Sequence, residues 1–180
     1  FVKGTLIYLL AIVLALSGVN SLAHAPEFNF SRISSYNSLS SLFVTKMVQE
    51  ADGYIWIGTV DGLNRFDGMD IKAYRSREGL NTPGLAGNQI DDLFVDSSNR
   101  LWVASPYGIS LYNAEQDRFN GVITTYELAG VPDAVINRIF QDTEGRLVVS
   151  VANALYCLNE ETFLFEQIFS SPLGDISAID

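Results

Sequence analysis

Residues 44–68 read VTKMVQEADGYIWIGTVDGLNRFDG, and the punctuation of this stretch decides the fold. Three Asp-Gly pairs, Asp52-Gly53, Asp61-Gly62 and Asp67-Gly68, cut it into short pieces. Asp-Gly accepts the positive φ of a tight hairpin. The pieces are too short for helices, and glycine interrupts them every few residues. The spacing therefore predicts strands over residues 44–49, 54–58, 63–66 and, just beyond, 70–74. Ile55-Trp56-Ile57 is apolar without alternation, the pattern of a strand covered on both faces.

The pattern returns at a fixed interval. Trp56 is followed after 46 residues by Trp102, and after another 46 by Val148. Gly53, Asn99 and Gly145 fall in step, as do Gly62, Gly108 and Ala154, and Phe66, Tyr112 and Leu158. Upstream, Val44, Ile90 and Ile136 align, followed three places on by Met47, Leu93 and Ile139. Such a period marks one supersecondary unit that buries its faces on its neighbours. Four antiparallel strands per period describe a propeller blade; leucine-rich repeats are shorter, and helical repeats would lack the Asp-Gly turns. The expected fold is all-β, a partial β-propeller of about three four-stranded antiparallel blades plus the start of a fourth. The blades are expected at about residues 43–75, 89–120 and 135–168 of a domain spanning 26–180. Ile176 and Ile179 would begin the fourth.

Within this frame the repeated positions, Gly53, Trp56, Gly62, Trp102, Gly108 and Gly145, read as structural. Trp56 and Trp102 lie in mid-strand and belong between blades rather than on a sugar platform. Glu50, Asp96 and Asp142 recur just past the first strand and read as acceptors for the following turn. A repeated position does not supply the separate environments that a general acid and base need.

Unit one resembles the repeat of the two-component regulator propellers. In that family an apolar-x-x-apolar strand leads into Asp-x-x-Gly-x-Leu-Trp-Ile-Gly-Thr and then Gly-Leu-x-Arg-Tyr-Asp. The matches are Val44, Met47, Gly53, Trp56, Ile57, Gly58, Thr59, Gly62, Leu63, Arg65 and Asp67, with Glu50 for Asp, Ile55 for Leu and Phe66 for Tyr. Unit two keeps Asp96, Leu101, Trp102, Gly108 and Tyr112; unit three keeps Asp142, Gly145 and Leu147 without the Trp. The resemblance covers residues 28–180. It implies the periplasmic sensor region of a bacterial inner-membrane receptor, with a histidine kinase or diguanylate cyclase beyond a transmembrane helix. On that reading the chain is the N-terminal fragment of a longer protein, attached to the membrane through segments not present in it. An unknown periplasmic ligand, with a carbohydrate as the candidate, and a homodimer as the full-length receptor are also implied.

The N-terminus reads as an export signal over residues 1–25. Lys3 precedes the apolar run 6–16, and Ala23-His24-Ala25 has the small-x-small form of a cleavage site. The run is shorter than the ~20 residues a membrane span prefers, which favours a cleaved signal over an uncleaved anchor. Cleavage removes His24, the only histidine, and with it Ser-His-Asp hydrolysis and histidine metal sites in the remainder. Cys157 is the only cysteine, so it reads as a small apolar residue and not half of a disulfide. The net charge is −10, and loss of Lys3 makes it −11. With no basic patch in view, a nucleic-acid partner is excluded. Asp61, Asp67 and Asp70 do not fit a calcium loop and read as turn residues. No catalytic residue, metal ligand or cofactor is expected.

Binding residues are expected where the units differ while their strands repeat. The two long connectors, 75–87 and 120–133, meet that description. Arg75 and Arg77 in the first, Asn88 just beyond it, and Asp91, Asp92, Asn137 and Arg138 on the innermost strands are the candidate ligand-binding residues. The expected function is non-enzymatic ligand sensing in a signalling receptor. The alternatives are a secreted propeller enzyme acting on polysaccharide and a non-signalling scaffold propeller. An enzyme needs a convergent acid, base and electrophile, which the sequence does not offer. Residues 28–33 are expected to be extended and to supply the outermost strand of a last blade, and the third blade is expected to leave an apolar face uncovered.

Overall fold

The structure, a computed structural model, describes residues 39–76, 84–130 and 134–172. The expected signal segment, the strand at 28–33, Arg77 and the start of a fourth blade lie outside the described residues.

The hairpin punctuation gives three four-stranded antiparallel sheets, each a meander of sequence neighbours. Blade 1 is β1 (Val44–Gln49), β2 (Ile55–Thr59), β3 (Gly62–Phe66) and β4 (Ile71–Tyr74). Blade 2 is β5 (Asp92–Val95), β6 (Leu101–Ser105), β7 (Gly108–Asn113) and β8 (Arg118–Thr124). Blade 3 is β9 (Ile136–Gln141), β10 (Leu147–Val151), β11 (Ala154–Asn159) and β12 (Leu164–Ser170). Trp56 and Trp102 are each the second residue of a second strand, and both are fully buried.

The repeated turns have a repeated cause. Gly53, Asn99 and Gly145 all take positive φ, between 59° and 92°. Ahead of two of these turns stands a carboxylate that caps it. Asp96 accepts from the backbone N–H of Ser98 and Arg100, and Asp142 from those of Glu144 and Arg146. Asp96 also accepts from Trp102 Nε1 at 2.8 Å, fixing the indole. Gly108 is required for a different reason: a Cβ there would lie 2.3 Å from the Ile123 carbonyl oxygen, at φ 150°.

Blades 1 and 2 each bury an indole under the next blade. Trp56, Leu63 and Tyr74 pack on Leu93, Leu101, Val103 and Phe119, with the Trp56 and Tyr112 rings edge-on at 4.8 Å. Trp102 and Ile109 pack on Ile139, Leu147, Val149 and Leu158, and Trp102 stacks on Phe163. Both tryptophans are core, so neither is a sugar platform.

The connector expected over 120–133 differs. Its first five residues continue β8, and a short helix α1 (Thr125–Ala129) follows. Asn120-Gly121 reads locally as a turn, but an irregularity opposite Ile109/Ser110 absorbs the extra residue and the ladder runs on to Gly108 opposite Thr124. Thr124 and Glu127 then form a capping box, and Gly130 ends the helix in the left-handed region. Asp91, expected on an innermost strand, immediately precedes β5.

Candidate functional site

In a meander blade, the turn between second and third strands lies at the same end as the connectors between blades. Backbone hydrogen bonds join these pieces: Gly62 N–H donates to the Asn88 carbonyl at 2.7 Å, Thr125 N–H to Tyr107 at 3.3 Å, and Ala152 N–H to Val135 at 3.1 Å. This connector end carries most of the sequence variation between units, and it is the candidate site.

Two candidates there act as staples. Asn88 accepts from Ser76 N–H through its side chain, in addition to the Gly62 bond. Arg75 donates from Nε to the Asp61 carbonyl and from Nη2 to Ser40 O and Asp61 Oδ2. Their polar groups therefore hold the loop, which leaves less for a ligand.

Asp92, Asn137 and Arg138 lie on the innermost strands β5 and β9, and Asp91 just ahead of β5. Asp92 is buried and ties three blades together: Oδ1 pairs with Lys46 Nζ at 2.9 Å, and Oδ2 accepts from Ile139 N–H at 2.8 Å. Asp91 accepts from Gln89 Nε2 at 2.9 Å. Burial holds the Asp91 carboxyl above the usual carboxylate range, the Gln89 hydrogen bond works against this, and the neighbouring Asp92 charge adds to it. Asn137 Nδ2 donates to the Ala152 carbonyl at 3.4 Å. Arg138 lies opposite Ser150 in the blade 3 ladder.

A residue that the sequence reading passed over stands out by exposure. Tyr107, in the β6–β7 turn, is 63% exposed although its ring lies against backbone. A Cβ on Gly87 would come within 2.8 Å of Tyr107 Cδ2, so a larger residue there would push the ring from its present place. Tyr126, the second residue of α1, is also exposed and follows Thr125, whose hydroxyl donates to the Pro106 carbonyl at 3.1 Å. Gln89 and Asp91 contribute hydrogen-bonding groups at the same end. An open aromatic face among amide and carboxylate groups can stack on a ring and bond its hydroxyls.

A cavity of about 390 Å³ lies instead at the outer edge of the seam between blades 1 and 2, beside Ala73, Tyr74, Leu85, Asp117 and Phe119. Its carboxylate is already committed. Asp117 accepts from Lys72 Nζ, Arg65 Nη1, Tyr74 OH and Tyr112 OH. Burial acts to raise the Asp117 carboxyl, but the bonds from Lys72, Tyr112 and Tyr74 and the Arg65 charge outweigh it and hold it well below the usual range. Burial pushes the Tyr112 hydroxyl up to about 12, and the bond to Asp117 adds to the shift. This cluster locks the seam. Among the described residues, no group of three His, Cys, Asp or Glu is placed to hold a metal ion.

Residues 38–61 and 84–107 match the family model of the two component regulator propeller. Over 65 residues, 36% of this chain, the sequence is 34% identical to Histidine kinase P4 of Formosa agariphila, a stretch that spans 5% of that protein. The extracellular domain assigned to a hybrid two component system of B. thetaiotaomicron superposes with a TM-score of 0.64 at 22% identity, over 78% of this chain and 20% of that one. A second such domain from the same organism gives 0.62 at 18% identity, over 82% and 18%. The chain therefore spans a small part of the length of each. At these identities the structural likeness speaks for the fold, blades of a propeller.

Proposed function

The chain carries two-component regulator propeller repeats, at residues 38–61 and 84–107, and on that premise we propose that it belongs to the extracytoplasmic ligand-sensing propeller of a bacterial membrane signalling receptor. Residues 1–25 direct export to the periplasm, and the output, a histidine kinase or diguanylate cyclase, lies elsewhere in the polypeptide. The ligand is a carbohydrate, bound at the connector end with one ring stacked on Tyr107. The observation that carries this reading is the Tyr107 ring, held open to solvent over Gly87 where a larger residue would displace it. Signalling then requires that the ligand bind one of two receptor states better than the other.

Calorimetric titration of the chain with neutral oligosaccharides tests the site. Saturable binding that Tyr107→Ala weakens about tenfold or more supports it, as expected for loss of a stacked aromatic. Absence of binding across the panel counts against a carbohydrate, and cleaved sugar in the mixture would favour the enzyme alternative. Deleting the propeller from the intact receptor tests the signalling role: an unaltered response to inducers speaks against it.

A further inference from the structure

The turn between second and third strands is a residue pair in every blade: Val60-Asp61, Pro106-Tyr107 and Ala152-Asn153, spaced by 46. In all three, the carbonyl of the second residue accepts a bond from the residue that follows the fourth strand. Asp61 accepts from Arg75 Nε at 3.1 Å, Tyr107 from Thr125 N–H at 3.3 Å, and Asn153 from Ser171 N–H at 2.7 Å. In blades 1 and 3 the turn side chain doubles that bond. Asp61 Oδ2 pairs with Arg75 at 3.1 Å, and Asn153 Nδ2 donates to the Ser171 carbonyl at 3.1 Å. Aspartate and asparagine are also residues that turns favour. Blade 2 departs on both counts. Its second bond comes from the Thr125 hydroxyl to the Pro106 carbonyl, at 3.1 Å, so the turn side chain is not needed for it. That side chain is Tyr107, 63% exposed, whose hydroxyl bonds no other described residue.

The same two bonds bring a second ring to the first. Thr125 is buried, and Tyr126 follows it by one Cα step of about 3.8 Å. The short helix that carries Tyr126 is well anchored: its capping box holds the start, Gly130 closes the end, and Leu128 packs into the core between blades 2 and 3. Tyr126 is nevertheless 62% exposed, and its hydroxyl also bonds no other described residue. Neither ring closes a turn or fills a core. Local choices that bring no structural return gather at functional sites.

We propose that Tyr107 and Tyr126 are adjoining platforms for successive rings of one oligosaccharide, so that the smallest full occupant is a pair of linked sugar units and not a monosaccharide. The inference rests on the carbohydrate reading given above. Each aromatic face stacks on the apolar face of one sugar ring. Thr125, bonded to both residues of the Pro106-Tyr107 turn, sets the spacing between the platforms before any ligand arrives, and a site built in advance loses less freedom on binding.

Calorimetric titration of the full chain with glucose, mannose, galactose and xylose, and with the linear dimers and trimers of each, tests this. A dimer should bind about tenfold or more tighter than its own monomer, the worth of a second stacked ring, and a trimer should add little. Tyr126→Ala should remove the gain from monomer to dimer while leaving monomer binding unchanged, and Tyr126→Phe should keep it. Tyr107→Ala should weaken monomer and dimer alike. Unchanged monomer binding by Tyr126→Ala shows that the variant is folded; where the monomer binds too weakly to detect, an unchanged thermal melt serves instead, and dimer binding alone counts as the gain. A dimer no tighter than its monomer, or a gain that survives Tyr126→Ala, would overturn the paired platforms and leave the carbohydrate reading standing if Tyr107→Ala still weakens binding. Absence of binding across the whole series would overturn both.

Discussion

Asp96 and Glu50 occupy the same place in successive repeats, and one methylene separates their roles. Asp96 reaches Trp102 Nε1, whereas Trp56 Nε1 is buried with no hydrogen-bond partner. Glu50 lies close enough for the indole to lower its carboxyl pKa, but burial dominates and holds the pKa above the usual range. Glu50→Asp should therefore stabilise the protein by about 1 kcal/mol in urea unfolding, the worth of one recovered buried hydrogen bond. An unchanged or lower midpoint would mean that the shorter arm does not reach. Asp117 shows the opposite sign. Its folded pKa is depressed, so its contribution is present above the unfolded value near 3.9 and disappears as pH falls through the folded value. Asp117→Asn should cost about 1–3 kcal/mol at neutral pH, allowing for partial exposure, and the difference from wild type should shrink as pH drops below about 4. Parallel pH profiles for the two proteins would contradict this.

At the scale of elements, turns decide which strands can pair. Gly108 sits against the Ile123 carbonyl at a φ that side chains rarely adopt, while nothing lies within 4 Å of a Cβ built on Gly121. Gly108→Ala should cost about 2 kcal/mol or more, and Gly121→Ala, in an open strand position, about zero or a slight gain. Equal melting temperatures for the two variants would show that the β7 start can move aside. The third blade carries Val148 where the others carry tryptophan, so an indole is not required by every unit. It is required in blade 2, where Phe163 and Phe165 close over Trp102. Trp102→Val should leave a void and cost about 2–4 kcal/mol, read from denaturant midpoints.

Over the whole molecule, burial is graded across the blades. β6 and β10 are buried along their full length, whereas β1 and β12 are largely exposed. Hydrogen exchange should follow: slowest in β6 and β10, and about a hundredfold or more faster in β12, because opening free energy tracks local packing. Uniform protection across all three blades would mean that they open only as one unit. Leu164 and Phe169 of β12 are exposed, in keeping with that gradient.

The sequence by itself determined the repeat and therefore the architecture. A 46-residue period with Asp-Gly turns fixes strand number, strand order and the burial of Trp56 and Trp102, because each is a local or periodic property. The capping box of α1 was also written there, in Thr124 and Glu127. What each polar group does was decided only in three dimensions. Asp92, Arg75 and Asn88 read as candidate ligand-binding groups, yet their partners Ile139, Ser40, Gly62 and Ser76 come from other strands and connectors. Asp117 meets Arg65, Lys72 and Tyr74 across a seam more than forty residues away in sequence. Tyr107 became a candidate because its ring comes to rest over Gly87, a contact between segments that no periodicity announces. Hydrogen bonds and exposed faces between distant segments depend on packing, and a sequence pattern records only the spacing of the residues that will pack.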